Sequence, residues 1–114
     1  GFWYHISELE TAARFNITCA LLVNNNRSFN QEIELVDAAY GGSRSGRHGD
    51  LWQFGDASFA EIARAMGARG IQVTRPGELD SALDQALSGQ GPCVIEVLTE
   101  QTALAPMAWL GDSQ

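Results

Sequence analysis

Apolar residues recur along the chain with two periods, and the places where the period changes mark out the elements. Residues 17–24 climb through Ala20, Leu21, Leu22 and Val23 without alternation and stop at Asn24, Asn25 and Asn26. An unbroken apolar run of this kind predicts a strand buried on both faces, hence a parallel sheet covered by helices. Ligands of open parallel sheets bind beyond the carboxyl ends of the strands, so the asparagines stand where a ligand or ion is expected. Before the run, Ser7 and Glu10 have the spacing of a capping box. It predicts a helix to Phe15 or Asn16 with Leu9, Ala12 and Ala13 inward. After it, Phe29, Ile33, Val36 and Tyr40 recur at helical spacing, with Glu32, Glu34 and Asp37 on the outer face.

The pattern is lost over residues 41–56, a stretch rich in Gly and Ser that carries Arg44, Arg47 and His48, with Leu51, Trp52 and Phe54 to anchor its far end. A loop of that length inside a compact domain is usually functional or mobile. Regularity returns with a second capping box, Ser58 to Glu61, a stripe of Phe59, Ile62, Ala63 and Met66, and Gly67 as a helix stop. Gly70–Val73 is a short strand. Pro76 opens another helix, where its missing N–H does no harm, with Leu79, Ala82, Leu83, Ala86 and Leu87 inward. Pro92 leads into a last strand, Cys93–Leu98, and residues 99–114 form an irregular tail in which Pro106, Trp109 and Leu110 are expected to pack on a neighbour. Helices alternating with strands imply right-handed crossovers and a parallel sheet. The expected fold class is α/β, a three-layer α/β/α arrangement within a single domain spanning residues 1–114. The first helix follows no strand, so Gly1 reads as the end of a strand-to-helix turn truncated on its amino-terminal side.

Composition narrows the function classes. A net charge of −7 over 114 residues argues against nucleic acid or an anionic membrane as partner. No apolar run reaches the roughly 20 residues of a membrane span, and the first residues carry no basic signal region. Cys19 and Cys93 lie in strand-like runs and read as buried, reduced thiols, which favours the cytoplasm. His5 and His48 have no zinc-ligand spacing. Taken alone, the three asparagines also fit a plain turn, because Asn tolerates left-handed geometry. Arg44, Arg47 and His48 fit either a loop that closes on an anionic group or a solvated loop. The apolar residues Trp3, Tyr4, Trp109 and Leu110 predict self-association into a homo-oligomer.

Glu8-Leu9-Glu10-Thr11-Ala12, the apolar strand with its asparagines, the Arg75-to-Leu79 helix start and the Gly91-to-Val97 strand, in that order, resemble the diphosphate-binding domain of thiamine diphosphate (ThDP) enzymes, acetolactate synthase-like members in particular. The resemblance covers nearly the whole chain and implies a partial, flavodoxin-like ThDP-binding domain. It also implies ThDP and Mg2+ as cofactors. In this family an Asp in the first turn, the second Asn of a pair, a backbone carbonyl two residues on and the diphosphate surround the metal with the hard oxygens it prefers. The implied positions are Asn26 for the amide ligand, the carbonyl of Ser28, and the Gly1 amide near the diphosphate at a helix amino end. Asn25 is expected to shape the turn. The turn's Asp would precede Gly1, and no Glu here matches the one that activates the aminopyrimidine. That residue belongs to a pyrimidine-binding domain, from a partner subunit in the typical assembly. The implied activity is that of a 2-oxo acid decarboxylase or carboligase, with the isolated chain inactive. The alternatives are a non-catalytic self-associating module and, more weakly, an acyl-CoA-directed relative with the Arg-bearing loop near the CoA phosphates.

Overall fold

A computed structural model describes residues 1–104, so the expected packing of Pro106, Trp109 and Leu110 lies outside the described residues. The chain divides into two units, one formed by residues 1–26 and 56–99, the other by residues 27–55 and the segment from residue 100 onward.

The first unit is built on three parallel strands, β1 (Cys19–Asn25), β2 (Arg69–Val73) and β3 (Pro92–Leu98), in the order β1-β3-β2. Register sets Asn25 beside Leu98 and Val73 beside Val97, so the carboxyl ends of the strands share one edge. Helices α1 (Ile6–Arg14), α3 (Phe59–Ala65) and α4 (Leu79–Ser88) belong to this unit, and α2 (Ile33–Ala39) to the other. On one face Ala82 and Ala86 of α4 pack with Val73, Cys93 and Ile95. On the other, Leu9 of α1 and Phe59 and Ala63 of α3 meet Val94, with Leu21, Val23 and Met66 around them. Helices on both faces make the three layers that the sequence predicts.

The strand buried on both faces is β3, not β1. Residues 92–96 are all buried, whereas β1 alternates, with Ala20, Leu22 and Asn24 outward and Leu22 53% exposed. The cause is position: β1 is an edge strand, and the core under α4 is built on β2 and β3. Cys93 is buried and Cys19 half-buried, both free thiols. Burial pushes the Cys93 thiol pKa up, against a smaller opposing pull from Arg69.

The first predicted capping box does not form. α1 is preceded by a 3-10 turn, Phe2–His5, so Ser7 falls inside the helix, where its hydroxyl bonds to Glu8 and Glu10 pairs with Arg14. The helix ends at Arg14, a residue or two short of the expected end, and Asn16 closes it. That residue takes a left-handed φ of 50° and closes a Schellman motif, Ile17 N–H to the Ala12 carbonyl and Asn16 N–H to that of Ala13. The second box forms by half: Ser58 accepts from the Glu61 amide at 3.2 Å, but the Glu61 side chain pairs with Arg64. Gly67, with φ 83°, stops α3 by the same Schellman pattern.

α4 is held at both ends by side chains. Arg69 donates to the carbonyls of Gln85, Ala86 and Gln90 at 2.7–3.0 Å, satisfying its carboxyl end. At the amino end Glu78 accepts from the amides of Thr74 and Arg75 at 3.0 and 3.1 Å and pairs with the Arg75 guanidinium. The Thr74 amide first, then Arg75, pull the Glu78 pKa down to about 2. A carboxylate lowered on folding contributes stability that is full above its unfolded value of 4.5 and is lost as pH falls through about 2. Urea unfolding followed across that window should therefore show Glu78→Gln losing less stability on acidification than the unaltered chain. Equal slopes would contradict the cap.

In the second unit the helix predicted from Phe29 starts later, with a 3-10 turn Asn30–Glu32 leading into α2. Phe29 is exposed rather than inward. Its amide bonds to the Trp52 carbonyl, Ser28 bridges Gln53 in antiparallel fashion, and its ring meets Phe54 edge-on at 4.5 Å. Ile33, Val36 and Trp52 form this unit's small core. Asp37, expected outward, accepts from Arg44 at 2.6 Å and faces His48 Nε2 at 2.8 Å. Arg44 first, and His48 with it, hold its carboxyl below the ordinary carboxylate range.

Candidate functional site

At the carboxyl edge of the sheet, where β1 ends in the asparagines, one buried acid, Glu96, gathers donors from several elements. The signal for it was present in the sequence: a lone acidic residue inside an apolar strand, Val94-Ile95-Glu96-Val97. Alternation along β3 turns Glu96 to the same face as Val94, toward the start of α3. It is fully buried, and so would be costly without partners. Its Oε1 accepts from Asn25 Nδ2 at 2.7 Å and the Phe59 amide at 3.0 Å. Its Oε2 accepts from Ser58 Oγ at 2.8 Å, Gln72 Nε2 at 3.1 Å and the Ala60 amide at 3.2 Å. Burial pulls the pKa up most strongly of any one effect, but the Phe59 amide and the Asn25, Ser58 and Gln72 side chains together outweigh it, and the carboxyl lies below its ordinary range. Glu96 is therefore a carboxylate whose charge is met by neutral donors and by the amino end of α3.

Asn25 ends β1 and is itself buried, its amide donating to Ala57 O at 3.2 Å as well as to Glu96. Asn26 follows as a half-buried residue at the close of the first unit. At the amino end Gly1 is exposed, and its carbonyl accepts from the Tyr4 amide at 3.0 Å to open the 3-10 turn that runs into α1. The rings of Phe2 and Trp3 meet Phe59 edge-on at 5.0 and 5.1 Å. The first unit thus gathers the Gly1–Phe2 turn and the end of β1 around residues 57–59. Ser28 belongs to the second unit, where it is buried and its hydroxyl donates to Gln101 O at 2.8 Å.

The Arg-bearing loop is exposed over residues 41–47 and pinned at His48. His48 is buried, with Nδ1 accepting from Trp52 Nε1 at 3.2 Å, so that Nε2 carries the proton toward Asp37. Arg44 is committed to Asp37 and Arg47 to Asp50. His5 is exposed and lies 3.9 Å from Glu8. No cluster of three or more His, Cys, Asp or Glu residues suited to a metal occurs among the described residues.

A parallel α/β sheet with polar residues at its carboxyl edge is of the open α/β class, in which ligands bind beyond the strand ends. The chain belongs to the thiamine pyrophosphate enzymes, as their C-terminal TPP-binding domain, whose family model matches residues 1–97. It is similar to the acetolactate synthase large subunit of Mycobacterium tuberculosis, 30% identical over 93% of this chain and 18% of that protein. It is also similar to the isozyme 3 large subunit of Escherichia coli, 34% identical over 73% of this chain and 14% of that protein. A 2-hydroxyacyl-CoA lyase of Arabidopsis thaliana is 28% identical over 90% of this chain and 18% of its own length. The chain spans less than a fifth of each of these relatives.

Proposed function

We propose that the chain is the diphosphate-binding part of a ThDP- and Mg2+-dependent enzyme that decarboxylates or joins 2-oxo acids, in the manner of the acetolactate synthases it resembles. The family match over residues 1–97 carries the reading. The site's donor chemistry supports it. Asn26 would offer an amide oxygen and Ser28 a carbonyl oxygen to the cation, the hard oxygen donors that Mg2+ takes. The helix start after Gly1 would add amide donors and a favourable partial charge for the diphosphate. Bound ThDP supplies a nucleophilic carbon and an electron sink for the 2-oxo acid. This chain's own residues hold and orient the diphosphate end.

They do not supply the activating acid. Glu96 is buried and saturated by donors, so it has no lone-pair direction left for an aminopyrimidine. The isolated chain is therefore inactive on this reading, and a pyrimidine-binding domain, in the same parent or a partner subunit, completes the enzyme. Exposed Trp3 and Tyr4, and Leu22 on the open face of β1, supply apolar surface for such contacts or for self-association.

One observation favours a second reading. The likeness to the Arabidopsis lyase points to an acyl-CoA-directed member. The binding of Arg44 and Arg47 to Asp37 and Asp50 weighs against a grip on CoA phosphates by that loop.

Calorimetric titration of the chain with ThDP and Mg2+ tests the main reading. The expected result is weak, Mg2+-dependent binding that Asn26→Ala abolishes. Binding that persists without Mg2+, or unchanged in Asn26→Ala, would overturn it.

A further inference from the structure

We propose that Glu96 is a positioning residue for the cation site, acting through Asn25 to fix the end of β1 and so the direction in which Asn26 presents its side chain. This rests on the reading of Asn26 as a ligand. Three observations carry it. The bond from Asn25 Nδ2 to Glu96 Oε1 is, at 2.7 Å, the shortest of the carboxylate's five. The second hydrogen of the same amide is spent on Ala57 O, so both are used and the side chain is locked. The Asn25 carbonyl accepts from the Thr99 amide at 3.2 Å, which ties the backbone of the same residue to the end of β3. Asn26 thus leaves from a peptide whose side chain and carbonyl are both fixed.

A carboxylate suits this task because it accepts only and presents about four lone-pair directions. Here it gathers donors from residue 25, residues 58–60 and residue 72 onto one group. An apolar residue at position 96 would fill the core yet leave Asn25 free to turn. The five partners are neutral, so the carboxylate keeps its charge one residue away from the proposed ligand. Groups that orient a metal ligand in this way commonly matter to affinity almost as much as the ligand.

Gln72 gives the control, since it donates to the same carboxylate from β2 and has no covalent link to Asn26. Backbone-amide NMR titrations with ThDP and Mg2+ would be run on the unaltered chain, Asn26→Ala, Asn25→Ala and Gln72→Ala. The expected result is a folded Asn25→Ala chain with about tenfold weaker Mg2+-dependent binding, and less than about twofold change for Gln72→Ala. Should Asn25→Ala not fold, Asn25→Gln keeps both amide hydrogens but moves them by a methylene, and is expected to weaken binding likewise. Equal losses at positions 25 and 72, or no loss at position 25 while Asn26→Ala still weakens binding, overturn the positioning role and leave Asn26 a ligand. No Mg2+-dependent binding by the unaltered chain, or none lost in Asn26→Ala, overturns the ligand reading and the positioning role with it.

Discussion

Replacing Glu96 by alanine is expected to cost about 4 kcal/mol and to lower the unfolding midpoint by roughly 20 °C. The reason is what the carboxylate leaves behind. Four N–H groups, those of Asn25, Phe59, Ala60 and Gln72, lose their acceptor together, along with the Ser58 hydroxyl. Each stranded buried donor costs roughly 1–3 kcal/mol, less where a hydroxyl re-aims or water enters. Domains of this size have a total stability of only about 5–15 kcal/mol. Glutamine does not rescue the site, although it matches the shape. Oε1 and Oε2 each face at least two donors, so an NH2 group in either place points hydrogen at hydrogen. Urea unfolding followed by circular dichroism should therefore place Glu96→Gln well below the unaltered chain and only modestly above Glu96→Ala. A Glu96→Gln chain as stable as the parent would contradict the donor assignment.

The second large effect is expected at Gly70. A Cβ there would lie 2.1 Å from the Ala60 carbonyl oxygen and 2.8 Å from its carbon, both backbone atoms of α3 that no rotamer change moves aside. Gly70, on the edge strand β2, sits opposite Val94 of β3, and Ala60 and Ala63 above it are buried. The helix lies close to the strand because small residues meet on both sides. Gly70→Ala is expected to cost about 3 kcal/mol or more, by forcing α3 off the sheet. Gly77, with nothing within 4 Å of its Cβ position, provides the contrast: Gly77→Ala should be neutral or stabilising by a few tenths of a kcal/mol. Thermal unfolding of the two variants checks the pair. Similar midpoints would show that the close approach at Gly70 carries no weight.

These two residues mark where sequence reading stops. Periodicity placed every helix and strand of the first unit within a few residues, because helical stripes such as Leu79, Ala82, Leu83 and Ala86 are local signals. It overstated the burial of β1. A run such as Ala20-Leu21-Leu22-Val23 is apolar on both faces whether or not a helix covers both, and covering is decided by strand order. It placed Ser7 at a helix boundary that the preceding 3-10 turn had moved, and put Phe29 in a helix that begins later. Glu96 was passed over because its partners lie 24 to 71 residues away in sequence. Only the fold brings them together. Arg69 is of the same kind: an arginine opening a strand says nothing local about the helix end it satisfies. The place of the asparagines was legible: Asn25 closes β1 at the carboxyl edge of the sheet, where strand geometry puts it. The family pattern already gave Asn25 a structural part; that its partner is a buried carboxylate 71 residues away was not legible.

The most direct test of the cation–diphosphate assignment uses Mn2+, which shares the oxygen-ligand preference of Mg2+ and broadens NMR signals of nuclei close to it. Amide spectra of the unaltered chain would be recorded with Mn2+ at low ratio, with and without ThDP. The predicted result is broadening of Asn25, Asn26 and Ser28, and of Phe2 and Trp3 after the Gly1 turn, that requires ThDP and disappears in Asn26→Ala. Broadening centred on the exposed carboxylates of α4, or a pattern at Asn26 that is the same with and without ThDP, would contradict it.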